Sequence, residues 1–151
     1  MTPTSPTDTA PLAPVESVRW VATLAADLRE LVGVRDALAA ALDACGWGQE
    51  DAFRVLICVD EAIANALTHG SHATGTIGAG FRVTPTGATI LVSDPNRAAA
   101  EIPETATPPA ESSEHGRGLI LMRALADRMR LRCGPAGTAL TLRFSPATLA
   151  G

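Results

Sequence analysis

The chain has 151 residues, and 46% of them are hydrophobic, which suits one globular domain with a substantial core. Its formal net charge is −4, with acidic residues and arginines interspersed, so it lacks the basic footprint of a nucleic-acid-binding protein. All 12 basic residues are arginine, which excludes a P-loop lysine and a Schiff-base lysine.

The three cysteines, Cys45, Cys58 and Cys133, are scattered and form no CxxC pair. Their odd number argues against a disulfide framework and fits a reducing compartment. No apolar run approaches the length of a membrane span, and no charged-then-apolar leader begins the chain. We therefore expect a soluble, cytoplasmic protein that does not contact a membrane.

Residues 1–15 are rich in Thr, Pro, Ser and Ala, and predict a disordered N-terminal tail. A single domain is predicted over residues 16–146. The alternation from Ser17 to Ala22 predicts a first strand. Leucines at helical spacing then predict a core-facing amphipathic helix, namely Leu24, Leu28, Leu31, Leu38 and Leu42.

A second helix is predicted from about Glu50 to His69, because the segment has no proline or glycine and carries an apolar stripe at helical spacing. Another stripe contains polar residues three or four positions apart: Cys58, Glu61, Asn65 and His69. Glu61 and Asn65 therefore lie side by side on a helix that is otherwise apolar. They can hold a metal-bound phosphate group, or they can hydrogen-bond each other on a half-exposed face.

The rest of the chain predicts mostly sheet. Alternating residues over 76–83 and 88–94 predict a hairpin that turns at Pro85-Thr86-Gly87. The segment from about 97 to 115 is long, with prolines and acidic residues, and predicts a functional lid or a disordered loop. Gly116-Arg117-Gly118-Leu119 then opens a helix, and a closing hairpin follows to Phe144.

This order of elements predicts an α+β fold of two layers. One mixed, mainly antiparallel sheet would be covered on one face by the helices. The pattern shows no internal repeat and no second domain.

Chemistry is predicted at three places. Asn65 offers a neutral oxygen to Mg²⁺, and Glu61 can orient or deprotonate a hydroxyl group. Asp94, at the end of a buried strand, can accept a hydrogen bond from an exocyclic amine such as that of adenine, or can simply form a turn. Gly116 and Gly118 permit close backbone approach, and free amides at a helix start bind phosphate, although an ordinary loop-to-helix junction has the same sequence. Thr138, which follows a glycine, is a weaker candidate.

Taken together, the order of these motifs resembles the GHKL ATPase superfamily, which has a Bergerat-type ATP-binding fold. The phrases Asp60-Glu61-Ala62-Ile63-Ala64-Asn65-Ala66-Leu67-Thr68-His69-Gly70 and His115-Gly116-Arg117-Gly118-Leu119-Ile120-Leu121-Met122 are most similar to stand-alone anti-sigma factors with serine/threonine kinase activity, of the RsbW and SpoIIAB type. The resemblance spans roughly Ser17 to Phe144.

The resemblance implies a role for each matching residue. Asn65 would bind the Mg²⁺ that bridges the phosphates of ATP, and Glu61 would be the general base. Asp94 would hold the adenine amine, with Thr138 supporting that end of the nucleotide. The phosphates would be wrapped by Gly116, Arg117, Gly118 and Leu119.

The resemblance also implies partners. They would be a sigma factor and a STAS-type anti-anti-sigma antagonist protein whose serine or threonine is phosphorylated, with no direct contact to nucleic acid. A homodimer is implied as well. Two other functions fit the same motifs: a degenerate module that sequesters a partner without phosphoryl transfer, and, more distantly, a detached histidine-kinase catalytic domain.

One departure concerns the adenine corner. The family usually carries Asp-x-Gly, often followed by a second glycine and an aromatic residue, whereas this chain reads Asp94-Pro95-Asn96-Arg97. Asn is the mildest replacement for glycine, since it visits the left-handed region more readily than other residues. Pro95 disfavours a helical conformation at Asp94, which helps to end the strand there. The sequence therefore predicts a weakened nucleotide site rather than none.

Replacing Asn96 by Gly tests this expectation. Strain of ~1 kcal/mol, typical of a non-glycine residue in the left-handed region, weakens binding by roughly fivefold. Asn96→Gly should therefore tighten ATP binding by about that factor when affinity is measured by calorimetry. Unchanged or weaker affinity would mean that Asn96 is not a strained stand-in for glycine.

Overall fold

The computed structural model describes residues 15–25, 27–69, 75–94, 114–134 and 137–147. Its elements are β1 (Val18–Ala25), α1 (Leu28–Ala44), α2 (Gln49–His69), β2 (Thr76–Thr84), β3 (Gly87–Asp94), α3 (Glu114–Leu125), β4 (Arg128–Gly134) and β5 (Gly137–Phe144). This order is the predicted one. The predicted tail, up to residue 14, and nearly all of the predicted lid lie outside the described residues.

The five strands form one sheet in the order β1-β2-β3-β5-β4. The predicted α+β class is confirmed. All four pairings are antiparallel, so the parallel pair that a mixed sheet would require is absent from the described strands. The β2–β3 and β4–β5 pairings are hairpins. Strand β1, at one edge of the sheet, pairs with β2, and β5 pairs with β3.

Strict alternation along the strands gives the sheet two different faces. In β3, for example, Ala88, Ile90 and Val92 are buried, while Leu91 between them is exposed. The buried face packs under α1 and α2 and forms a single core. The largest side chains of that core with almost no exposure are Leu38, Leu42, Ile63, Ile77, Ile90, Met122, Leu142 and Phe144.

The first helix begins later than its leucine pattern predicts. Strand β1 continues to Ala25, so Leu24 is a buried strand residue rather than a helical one. Asp27 is the N-cap, in an extended conformation, and its carboxylate accepts a hydrogen bond from the Arg29 amide at 3.0 Å. Leu28 is consequently at the first helical position and 69% exposed, because the capped turn faces solvent.

The link between α1 and α2 is anchored to the end of β2. Gly46 follows the last turn of α1 and has φ of 81°, a left-handed conformation that glycine adopts without strain and that commonly ends a helix. The buried Trp47 ring donates its Nε1–H to the Thr84 carbonyl at 2.8 Å. These contacts fix where α2 starts relative to the sheet.

The start of α2 is tied to the chain on both sides of the β4–β5 hairpin by Arg54. Its guanidinium donates to the carbonyls of Leu125 at 2.8 Å and Ser145 at 2.7 Å, and pairs with Asp51 and Asp127 at 3.3 Å each. It also lies 5.6 Å from the centroid of the Phe144 ring. Five donors in one plane make such a set of contacts feasible for arginine alone.

Substituting Arg54 by Lys should therefore be costly despite the retained charge. Lysine cannot reach two separated carbonyls and two carboxylates at once, so we expect a loss of about 2 kcal/mol in unfolding free energy. Arg35 is the matched control. It makes one half-exposed ion pair with Asp60 at 3.1 Å, and Arg35→Lys should cost less than about 0.5 kcal/mol. Equal losses in urea denaturation of the two variants would contradict the anchoring role of Arg54.

Candidate nucleotide-binding site

Helix α2 holds Glu61 and Asn65 one turn apart. Its buried residues Val55, Val59 and Ile63 lie against the core, with exposures of 0–1%, and they fix the rotation of the helix about its axis. With that rotation Glu61 and Asn65 are half-buried rather than solvent-facing. The two polar residues predicted on this helix therefore lie side by side and half-buried, where α2 meets another element.

That other element is the first part of α3, which approaches through Gly118. A methyl group at Gly118 would lie 2.8 Å from Oε2 of Glu61 and 3.2 Å from Nδ2 of Asn65. Both distances are shorter than van der Waals contact, so only glycine fits without displacing these side chains. Three predicted site residues from two separate motifs therefore meet at one point.

The glycine motif is inside the helix rather than ahead of it. Helix α3 begins at Glu114, so Gly116 is in its first turn, where the backbone amides have no acceptor within the helix. Such amides suit an anion. Gly118 is the fifth residue, and what it contributes is close approach rather than a free amide. Leu119 is half-buried against the core, and Arg117 is exposed.

Asp94 and Thr138 form a second group on the same, helix-covered face of the sheet. Asp94 ends β3 and is only 8% exposed, and Thr138 is directly opposite it on β5. A carboxylate that is this buried is retained only where polar groups compensate it. Pro95 and Asn96, which follow, lie outside the described residues.

The stripe of polar residues predicted on α2 includes one residue of the core. Cys58 is fully buried, and Glu61, three residues further on, is close enough to act on its thiol. Burial raises the pKa of its thiol to about 11, with Arg54 lowering the pKa and Glu61 raising it further. Cys58 therefore stays protonated at neutral pH, has no nucleophilic role, and serves as a small core residue.

Asp60 is a residue that the sequence does not single out. Its Oδ2 accepts from Arg35 of α1 at 3.1 Å, while its Oδ1 is buried and has no hydrogen-bond partner among the described residues. It precedes Glu61 and fastens this turn of α2 to α1. This role is visible only in the contact between Arg35 and Asp60, which are 25 positions apart, and no spacing pattern in the sequence indicates it.

The described residues contain no cluster of three or more His, Cys, Asp or Glu side chains that could hold a metal by themselves. A cation at Asn65 would have to be shared with phosphates, as is usual for Mg²⁺. In the same part of the chain, no helix combines the length and the apolar character needed to span a bilayer.

A family model described as the histidine kinase-like ATPase domain matches residues 24–144. The chain belongs to this family. The resemblance inferred from the motifs is thereby confirmed, and the domain is a kinase-type ATP-binding domain. No curated protein matches the chain.

Two solved structures are similar to it. One is the crystal structure of the RsbU and RsbW domains of Rv1364c from Mycobacterium tuberculosis, with a TM-score of 0.61 and 21% identity. The match covers 85% of this chain but 32% of that one, so the chain spans about a third of that structure. The other is a histidine kinase domain of the blue-light activated histidine kinase EL346 from Erythrobacter litoralis, with 21% identity, coverage of 79% and 60%, and a TM-score of 0.49. At this identity the first likeness establishes the fold.

The contact at Gly118 generates a direct test. Gly118→Ala should displace Glu61 and Asn65, and we expect ATP binding to weaken by at least roughly tenfold, equivalent to about 1.4 kcal/mol. Gly33→Ala is the matched control, because the space around Gly33 in α1 is open. That change should stabilise the protein by about 1 kcal/mol and leave nucleotide binding unaltered. If Gly118→Ala bound ATP normally by calorimetry, the close approach would have no functional meaning.

Proposed function

We propose that this protein is an anti-sigma factor with ATP-dependent serine/threonine kinase activity toward an anti-anti-sigma antagonist protein, and so regulates transcription by partner switching. The observation that carries the proposal is the meeting of Glu61, Asn65 and Gly118. A potential base, a potential metal ligand and the start of a glycine-bearing helix come together where a phosphate chain would lie.

The residues fit Mg²⁺ and ATP. A side chain at Gly118 would collide with the tips of Glu61 and Asn65, so the glycine is what lets the start of α3 approach these two side chains closely. Asn65 would hold the cation through its amide oxygen, and the Gly116 amide would donate a hydrogen bond to a phosphate oxygen. Arg117, Gly118 and Leu119 would wrap the phosphates, as the family resemblance implies. The cation, when bound, supplies charge neutralisation for phosphoryl transfer. Asp94 and Thr138 would hold the adenine.

Glu61 would act on the acceptor. Its carboxylate would take the proton of a serine or threonine hydroxyl on the antagonist, and the hydroxyl oxygen would form a bond to the γ-phosphorus of ATP. The bond between that phosphorus and the β–γ bridging oxygen breaks, and ADP leaves. The half-buried position of Glu61 suits this role. One carboxylate oxygen lies close to Gly118, and the residue is still accessible to the hydroxyl group of a protein substrate.

Family membership supports the ATP-binding part of this proposal, and the motif resemblance supports the partners. The phrase around Glu61 and Asn65 is that of the stand-alone anti-sigma kinases. The similar mycobacterial structure contains an RsbW domain beside an RsbU domain. A sigma factor and a STAS-type antagonist are accordingly the partners we propose, with the protein acting in the cytoplasm.

A second candidate function is a binding module that grips its partner without transferring phosphate. Asp94-Pro95-Asn96 favours it, because Asn96 takes the place of the glycine that the family has beside the adenine, and Pro95 is rigid. The retained Glu61 and Asn65 favour the kinase, since a module without catalysis has no need of a base at this point.

Two variants separate these functions. Glu61→Gln keeps the shape of the side chain but removes the base, so phosphate transfer from labelled ATP to the antagonist should fall by roughly 10²–10⁴-fold while ATP affinity stays within about twofold. Asn65→Ala should instead lose the Mg²⁺-dependent part of ATP binding in calorimetry.

Undiminished transfer by Glu61→Gln would remove Glu61 as the base. ATP binding without any transfer by the wild type, combined with stable capture of the partner, would favour the binding module. Thr68→Ala is a control on the same helix, since Thr68 is exposed and its hydroxyl donates to the Ala64 carbonyl at 2.8 Å, and it should alter neither measurement.

A further inference from the structure

The face of the sheet that none of the described helices covers is strongly basic, although the protein as a whole is acidic. Six of the 12 arginines are on the described strands and all point to this face, where they are exposed. These strands hold one acidic residue, Asp94, and it points to the opposite, buried face. The six residues, which we call the arginine face, are Arg19, Arg82, Arg128, Arg130, Arg132 and Arg143.

Strand register places these charges in rows. Arg19 is directly opposite Arg82, and Arg143 is directly opposite Arg128, with Thr89 between the two pairs. This row crosses all five strands and is roughly 19 Å long, at ~4.8 Å per strand. Arg130 and Arg132 continue along β4 on the same face.

The arrangement works against stability. Like charges directly opposite each other on neighbouring strands repel, and a carboxylate at either position would attract. None of the six arginines makes an ion pair within the described part of the chain. The repulsion therefore remains uncompensated, which indicates that the charges serve something outside the fold.

The middle of this face is apolar and shallow. Val21 is 78% exposed and Leu91 is 44% exposed. Gly80 is opposite both and lines a shallow cavity on this face. Two shallow cavities, of about 720 and 380 Å³, extend to either side and share Leu91. An apolar centre surrounded by arginines is the composition of a protein–protein interface.

We propose that the arginine face docks a protein partner whose surface presents carboxylates around an apolar centre. Charge complementarity identifies the partner as acidic, and the exposed Val21 and Leu91 require apolar contact as well. This surface is on the other side of the sheet from the nucleotide site. The proposal is therefore independent of the proposed kinase activity, and a partner could occupy the arginine face while ATP is bound.

Other partners fit this surface less well. Proteins that bind single-stranded nucleic acid on an open sheet stack bases on aromatic side chains, and the described part of this face has none. A long polyanion or an anionic membrane would also extend beyond the patch and meet the net charge of −4. A second copy stacked face to face would bring arginines against arginines.

The test uses a short labelled peptide in which Glu alternates with Leu and Ser, with fluorescence anisotropy as the readout. Arg82→Glu and Arg143→Glu should each weaken binding by roughly tenfold, and added salt should weaken wild-type binding. Both variants place a carboxylate opposite an arginine, so their melting temperatures should rise. Weaker binding by a more stable protein cannot be explained by unfolding.

Arg29→Glu is the matched control, because it changes the net charge equally on an exposed turn of α1, and it should bind the peptide as the wild type does. No binding of the peptide, or equal binding by all variants, would overturn the proposal. Tighter arginine-dependent binding of an oligonucleotide or of phosphatidylglycerol vesicles would replace the acidic protein with that partner. An arginine-dependent dimer in sedimentation would assign the face to a second copy.

Discussion

The contact between two helices at Gly118 is the constraint on which the candidate site depends. Helix α3 reaches α2 at a residue with no side chain, and the space left there is shared by the tips of Glu61 and Asn65. Contacts elsewhere in the structure hold the two helices in this position. The apolar residues of α2 fix its rotation, Met122 anchors α3 with no exposure, and Arg54 fastens the start of α2 to the chain around the last hairpin. A polar pair on a helix is common, and a polar pair pressed against a glycine of another helix is a specific arrangement.

Much of the fold could be predicted from alternation and helical spacing, because both patterns are local. The eight elements come in the predicted order, and the β2–β3 hairpin turns at Pro85 and Thr86, within the predicted turn. The start of α1 could not be predicted from leucine spacing, since Leu24 and Leu28 satisfy a helical period while belonging to different elements. Asp27 decides the boundary through a capping hydrogen bond, and a cap is a contact of one residue with its neighbours rather than a period. The sequence also could not show that the described strands pair only in antiparallel fashion, because strand direction depends on how α1 and α2 return the chain.

The site was predicted as types of residue rather than as distances. Glu61, Asn65 and Gly118, which the motif order assigns to one site, lie together where α2 meets α3, and strand register brings Asp94 opposite Thr138. The sequence pattern did not show that Cys58 is fully buried, because helical spacing counts 100° steps and cannot distinguish a residue at the edge of the core from one inside it. It also gave no sign of the role of Asp60, whose partner is 25 residues away. Spacing along one helix carries little information on what lies across from it, and both omissions have that origin.

The two faces of the sheet differ in the charges that they carry. The covered face tolerates one buried carboxylate at a strand end, and the open face carries six arginines with no acidic neighbour on the described strands. A sheet selected for stability alone would alternate the signs of opposed residues, because opposed charges of one sign repel. Since the rest of the chain more than balances these arginines to a net charge of −4, their segregation is not a consequence of overall composition. The segregation of the arginines is a local property that strand register sets. It gives the domain a second surface whose chemistry is independent of the nucleotide site.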